Sequence, residues 1–140
     1  FLDNVDVGGL TIRAGVSSLS LPYLLGLINS GLLRWMFPFV TAPFRGGWLS
    51  ANRQFLSQLP IRAIDFADTA DCKRHDTLVE LVQRMLDMHK EQAKFQGGSS
   101  AQENFQRQID ATDKQIDALV YELYGLSDAE VRIVEEEKEE

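Results

Sequence analysis

The chain has 140 residues, 44% of them hydrophobic and 25% charged, which suits one globular domain or a piece of a larger protein. That size excludes an enzyme with separate cofactor and substrate domains. Its formal charge of −7, taken as an average, argues against a nucleic-acid partner. The average conceals a division. Residues 1–62 hold five arginines (Arg13, Arg34, Arg45, Arg53, Arg62) against Asp3 and Asp6, net +3, with neither Lys nor Glu, whereas the remainder carries 9 basic and 19 acidic side chains, net −10. Such asymmetry points to a partner for one half. The single Cys72 cannot form an internal disulfide, so a reducing, cytoplasmic setting is expected. The start at Phe1-Leu2-Asp3, without initiator Met or signal-peptide features, reads as the interior of a longer polypeptide.

In chain order, Asn4 to Ile12 mixes β-branched residues with Gly8-Gly9 and predicts a strand broken by a turn. Ser18 or Ser20 can cap a helix with Pro22 in its first turn, running through Leu24, Leu27, Ile28, Leu32 and Trp35 to about Phe37, where Pro38 is expected to stop it. Asn29-Ser30-Gly31 is a polar notch in that helix. The apolar stretch 19–40 is interrupted too often for a bilayer span and reads as a core segment, with no membrane partner. Residues 40–50, with Pro43, Gly46 and Gly47 among aromatics, predict a loop or hairpin. Gln54 to Ile61 predicts a short helix or strand that Pro60 ends.

A long helix is predicted from Asp68 or Thr69 to about residue 95, with Leu78, Leu81 or Val82, Met85, and Met88 or His89 on one face. Residues 97–100 form a polar turn. A second helix then places Phe105, Ile109, Thr112, Ile116, Leu119 and Leu123 in a heptad series, so the two should fold back as an antiparallel hairpin. Gly125 is a natural helix terminator, and Ser127-Asp128-Ala129-Glu130 is a capping box for a last short helix. The tail Glu135 to Glu140 reads as a solvated end.

Catalytic patterns are absent from the sequence: no phosphate loop, no H-E-x-x-H and no nucleophile elbow occur. His75 and His89 lie fourteen residues apart on one helix, about 21 Å along its axis, and cannot share a metal. The carboxylates Glu80, Asp87, Glu91, Glu103, Asp110, Asp113 and Asp117 fit the solvent side of amphipathic helices, and Cys72 reads as a partly packed small residue. Phe44, Arg45, Trp48, Asn52 and Arg53 fall together on a Gly-hinged segment. Such rings and guanidinium groups can stack on bases and hold phosphates, or equally close a core edge.

Leu24-Leu25-Gly26-Leu27-Ile28-Asn29-Ser30-Gly31-Leu32-Leu33 resembles the "LLGLLNSKLL" helix of TaqI-like C-terminal specificity domains, with Gly31 where the family has Lys. Arg45-Gly46-Gly47-Trp48 followed by Phe55-Leu56-Ser57-Gln58-Leu59-Pro60-Ile61 is similar to the family's "rGG-aromatic … yLeqlPI" ending. Residues 116–126, IDALVYELYGL, resemble its closing helix. These are the target recognition domains of adenine-N6 DNA methyltransferases and of fused restriction-modification enzymes. The resemblance implies double-stranded DNA as partner, beside an upstream methyltransferase domain that binds S-adenosylmethionine and flips the target adenine. No N-P-P-[YF] motif occurs here, so it implies sequence reading, not catalysis, and no cofactor in this chain.

The expected architecture is α+β but predominantly helical: residues 1–66 end a recognition domain, 67–126 form a hairpin spacer or docking arm, and 127–140 a short helix and acidic tail. Arg34, Arg45, Arg53 and Arg62 are expected at phosphates or guanines, Phe44 and Trp48 in stacking or groove packing, and Asn52 at a base edge. The rival expectation is an assembly module whose hairpin self-associates without touching DNA.

Overall fold

The computed structural model describes residues 19–43, 49–94 and 99–136. The expected strand at Asn4 to Ile12 and the hairpin turn at 97–98 lie outside them. Among the described residues six helices follow in order: α1 (Leu21–Asn29), α2 (Gly31–Val40), α3 (Arg53–Leu56), α4 (Thr69–Lys94), α5 (Ser99–Tyr124) and α6 (Asp128–Glu136). Helix accounts for 77% of the described residues, and the extended pairing among them is a single antiparallel bridge, Pro43 with Leu49. The fold is therefore predominantly helical. The β part of the expected α+β class has no strand among the described residues.

Where one long apolar helix was expected, the chain makes two, bent by 69° at Ser30. Ser30 ends α1 and begins α2. Its extended backbone (ψ 154°) turns the chain, while its buried hydroxyl donates to the Leu27 carbonyl at 2.6 Å and accepts from the Leu33 N–H at 3.4 Å. The next N–H, of Gly31, would be stranded in the interior at the start of α2. Asp117, far along α5, supplies the acceptor: its Oδ1 lies 2.6 Å from the Gly31 nitrogen. This corrects the assignment of Asp117 to the solvent face, since the residue is only 4% exposed. Ser20 is the N-cap of α1, with Tyr23 N–H donating to its Oγ. At the other end, α2 does not stop at Pro38 but continues to Val40, because the one missing N–H interrupts a single rung and Thr41 N–H still reaches the Phe37 carbonyl.

The two long helices pack antiparallel, as the Arg74 to Glu122 ion pair at 2.8 Å between the start of α4 and the end of α5 requires. Asp68 caps α4 through the Ala70 N–H. The expected seam is largely buried: Leu78, Leu81, Val82 and Met88 on α4 meet Ile109, Thr112, Ile116 and Leu123 on α5. An adjoining stripe of α5, with Asp117, Val120 and Tyr121, is also buried, and its Asp117 and Tyr121 bind Gly31 of α2 and Glu135 of α6. Full burial of Leu27, Leu33, Leu78 and Val120 stabilises the core by about 1.5–3 kcal/mol for each side chain. That core draws residues from both sides of position 66.

Helix α1 crosses α4 at a glycine. A Cβ on Gly26 would lie 2.8 Å from Val82 Cγ2 and 3.1 Å from Leu78 Cδ1, so the missing side chain allows the close approach. Gly125 (φ 67°) ends α5 in a Schellman arrangement: Leu126 N–H reaches the Tyr121 carbonyl and Gly125 N–H that of Glu122. The expected capping box then starts α6, with Glu130 accepting from the Ser127 N–H at 2.8 Å and Glu130 N–H donating back to Ser127 Oγ. The same backbone contact holds the Glu130 carboxyl below its ordinary range.

Asp117→Ala is expected to cost about 2–3 kcal/mol in urea unfolding, by removing a charged acceptor from a buried N–H, and Asp117→Asn less, because an amide oxygen can still accept. Gly26→Ala is expected to cost about 1–2 kcal/mol despite better helix propensity, since the β-branched Val82 cannot swing aside. In a Val82→Ala background that cost should shrink, and additivity of the two changes would disprove the steric contact.

Candidate nucleic-acid interface

The residues expected to meet DNA separate into three groups. Phe44, Arg45 and Trp48 lie outside the described residues. The chain on either side of them is held: Thr41 Oγ1 donates to the Ser50 carbonyl, Ser50 N–H to that of Ala42 at 3.2 Å, and the Pro43–Leu49 bridge closes the neck. Arg53, exposed at the first position of α3, stands just beyond that neck.

Asn52 and Arg62 are built into the fold instead. Asn52 is the N-cap of α3: its Oδ1 accepts from Gln54 N–H at 3.0 Å and Phe55 N–H at 3.4 Å, and its Nδ2 donates to Ser50 Oγ. Both ends of the amide, expected at a base edge, are engaged in the turn. Residue type was a poor guide here, since Asn is favoured equally at caps and at adenine edges.

Arg62 is likewise not presented as a phosphate ligand. Its Nη2 lies 3.0 Å from Asp71 Oδ2, its Nε donates to the Leu123 carbonyl at 3.1 Å, and its Nη1 to the Ala63 carbonyl. The backbone around it is clamped by two phenols. Tyr23 OH donates to the Arg62 carbonyl at 3.0 Å, while Tyr124 OH accepts from Arg62 N–H at 3.2 Å and donates to the Pro60 carbonyl. Burial pushes the Tyr23 phenol up to about 12, and Tyr124 is raised by the same cause. The 60–62 segment is thereby tied to the first apolar helix and to the end of α5.

Asp71, buried in the first turn of α4, completes this hub. The Asp65 backbone N–H, followed by the Arg62 guanidinium, holds its carboxyl below the ordinary carboxylate range, against the opposing effect of burial. Arg74 reaches it at 3.5 Å while pairing mainly with Glu122.

Arg34 is exposed on α2, but in acidic company. The groove it lines along α5 and α6 also contains Asp110, Asp113, Asp117 and Glu135 against the one further cation Lys114, with Tyr121 OH donating to Glu135. Carboxylates so placed oppose a phosphate. On its other side lies an apolar cleft of about 360 Å³ formed by Leu25, Gly26, Val82, Met85, Ile109 and Ile116. Of these three arginines, Arg62 is tied into the fold, whereas Arg34 and Arg53 are exposed, and Arg34 also lines a cleft with Leu49, Ala51 and Leu56.

Ser20, His75 and Asp76 form a short polar chain that sequence spacing did not reveal. His75 Nε2 is 3.3 Å from Ser20 Oγ, and Nδ1 is 2.9 Å from Asp76 Oδ1. The hydroxyl is already the α1 cap, and the imidazole sits against the Tyr23 and Phe66 rings with centroids at 5.0 and 5.5 Å. Its evident work is to fasten the start of α1 to α4. Cys72 Sγ, half-buried, donates to the Phe66 carbonyl nearby. Among the described residues no three His, Cys, Asp or Glu side chains converge as metal ligands.

Because the folded-state pKa of Asp71 is depressed, its contribution to stability is present above the unfolded carboxylate value of about 4 and is lost as pH falls through the lower folded value. Asp71→Asn should therefore lower the melting temperature near neutrality and flatten its decline below about pH 4. A parallel acid limb in the variant would show that the hub does not depend on the ionised carboxylate.

Comparison of the chain with protein-family models, curated proteins and solved structures finds no match.

Proposed function

We propose that the chain is the C-terminal part of a DNA target recognition domain, resembling those of TaqI-like adenine-N6 methyltransferases and restriction-modification enzymes. It reads DNA and does not itself catalyse. S-adenosylmethionine and methyl transfer belong, on this reading, to an upstream domain of the parent polypeptide, in the cytoplasm. No single helix among the described residues is long and apolar enough to cross a membrane.

One observation carries the reading. The described parts of the three segments that resemble the family are in contact: Gly31 of the first binds Asp117 of the third, and Tyr124 of the third binds Pro60 of the second. Tyr23, just before the first, binds Arg62, just after the second. Motifs scattered over a hundred residues thus meet in one packing unit, which is consistent with a shared signature. Charge supports the same reading, since residues 7–64 contain five arginines and neither Asp nor Glu. The DNA-facing candidates are Arg53 and, from the sequence, Phe44, Arg45 and Trp48 before it.

The assembly reading has its own support in Leu25 and Leu86, which are 39% and 36% exposed on the apolar cleft between α1 and the hairpin. Fluorescence anisotropy with duplex DNA separates the two. Affinity is expected to fall steeply between about 50 and 200 mM salt, and Arg45→Ala combined with Arg53→Ala should weaken binding and reduce the salt slope by about 2. Unchanged affinity in the double variant rejects the site. Absence of binding, with a dimer that Leu86→Glu dissolves, establishes assembly instead.

A further inference from the structure

Helix α3 contains no buried side chain and, at four residues, is far shorter than a helix that persists alone in water, so neither the core nor helix propensity places Arg53 at its start. Hydrogen bonds do. Thr41, the C-cap of α2, donates its N–H to the Phe37 carbonyl at 3.1 Å and its Oγ1 hydrogen to the Ser50 carbonyl, while Ser50 N–H donates to the Ala42 carbonyl at 3.2 Å. Ser50 Oγ then accepts from Asn52 Nδ2 at 3.3 Å, and Asn52 Oδ1 caps α3 through the Gln54 and Phe55 N–H groups. The path runs unbroken from the last turn of α2 to the residue beside Arg53. Between α2 and α3 lies an apolar cleft of about 310 Å³ lined by Ile28, Phe37, Leu49, Leu56 and Leu59. Among the described residues Arg34 is the one charged side chain on its wall, which carries no carboxylate.

Resting on the reading above, we infer that Thr41, Ser50 and Asn52 are positioning residues, whose hydrogen bonds fix Arg53 for contact with a phosphate of duplex DNA. The exposed guanidinium ends a flexible stem, and an unanchored helix beneath it would add backbone ordering to the cost of binding. With the brace in place the backbone is ordered before DNA arrives. Local charge suits this use, since the cleft wall between α2 and α3 offers a cation and no carboxylate, whereas the four carboxylates near Arg34 line a separate groove with α5 and α6. Thr41 stands at the far end of the brace and is uncharged. Its hydroxyl therefore acts on DNA affinity only through the placement of Arg53.

The test uses the 140-residue chain and fluorescein-labelled duplexes of random sequence, read by anisotropy over a range of salt concentrations. Arg53→Ala should bind about eightfold more weakly at about 0.1 M salt and reduce the slope of log affinity against log salt by about 0.9, as one lost phosphate contact requires. Thr41→Val, which keeps the branched shape and removes the hydroxyl donor, should weaken binding about threefold and lower the slope in the same direction. Thr41→Ser should restore both. In an Arg53→Ala background Thr41→Val should change nothing further, a non-additivity that mere loss of folded protein does not produce. Wild-type affinity and slope in Thr41→Val, with Arg53→Ala weakened, overturns this inference and leaves DNA recognition standing. Equal weakening by Thr41→Val in both backgrounds assigns the brace to general stability and also overturns it, as does wild-type affinity in Arg53→Ala. No binding by the wild-type chain overturns both readings.

Discussion

The hydrogen bond from Gly31 N–H to the Asp117 carboxylate is the constraint on which the arrangement of helices depends. An apolar segment of some twenty residues favours a single straight helix. Here it is divided at Ser30, and the division strands backbone donors inside the protein. Ser30 satisfies one with its own hydroxyl, and Asp117 satisfies another from 86 residues away. With that contact made, α1 can lie on α4 at Gly26 while α2 turns by 69° to meet α5 and α6. The carboxylate tolerates its burial because it faces the positive end of α2 and a direct donor.

A second centre of the fold is Arg62, where a guanidinium, two phenols and Asp71 fasten an irregular segment to α1, α4 and α5. Irregular chain has no ladder of its own for its backbone groups, so side chains must supply the partners. Arginine suits this, offering several donors in a planar fork. The same property that made Arg62 attractive as a DNA ligand makes it useful as a structural tie, and the available carboxylate decides between the two uses. Arg34 is exposed in a groove that also holds four carboxylates and Lys114, and Arg53 is exposed at the start of α3.

Much of the helical pattern was legible from periodicity and punctuation. The α4 and α5 seam, the Asp68 and Ser20 caps, the Gly125 stop and the Ser127–Glu130 box are local, and local chemistry identifies them. Asp117 was not legible, because a heptad seam describes one face of α5 and says nothing of a second face buried by α2 and α6. Pro38 misled because a proline near a helix end interrupts only one rung. The contacts of Asn52 and Arg62 within the fold were not legible, because residue type does not distinguish a polar group aimed at a ligand from one aimed at the chain itself.

By itself the sequence determined that residues 21–40 would contribute apolar side chains to the core, that two long amphipathic helices would pair, and that the net positive charge would lie in the first half. These follow from composition and spacing, which act at short range. Only the tertiary structure decided which charges are free to meet a partner. A charged side chain buried beside the right backbone group is a fastener, and the same side chain in water is a binding site. That choice is made by segments sixty to ninety residues apart, as the pairings of Arg62 with Leu123 and Gly31 with Asp117 illustrate.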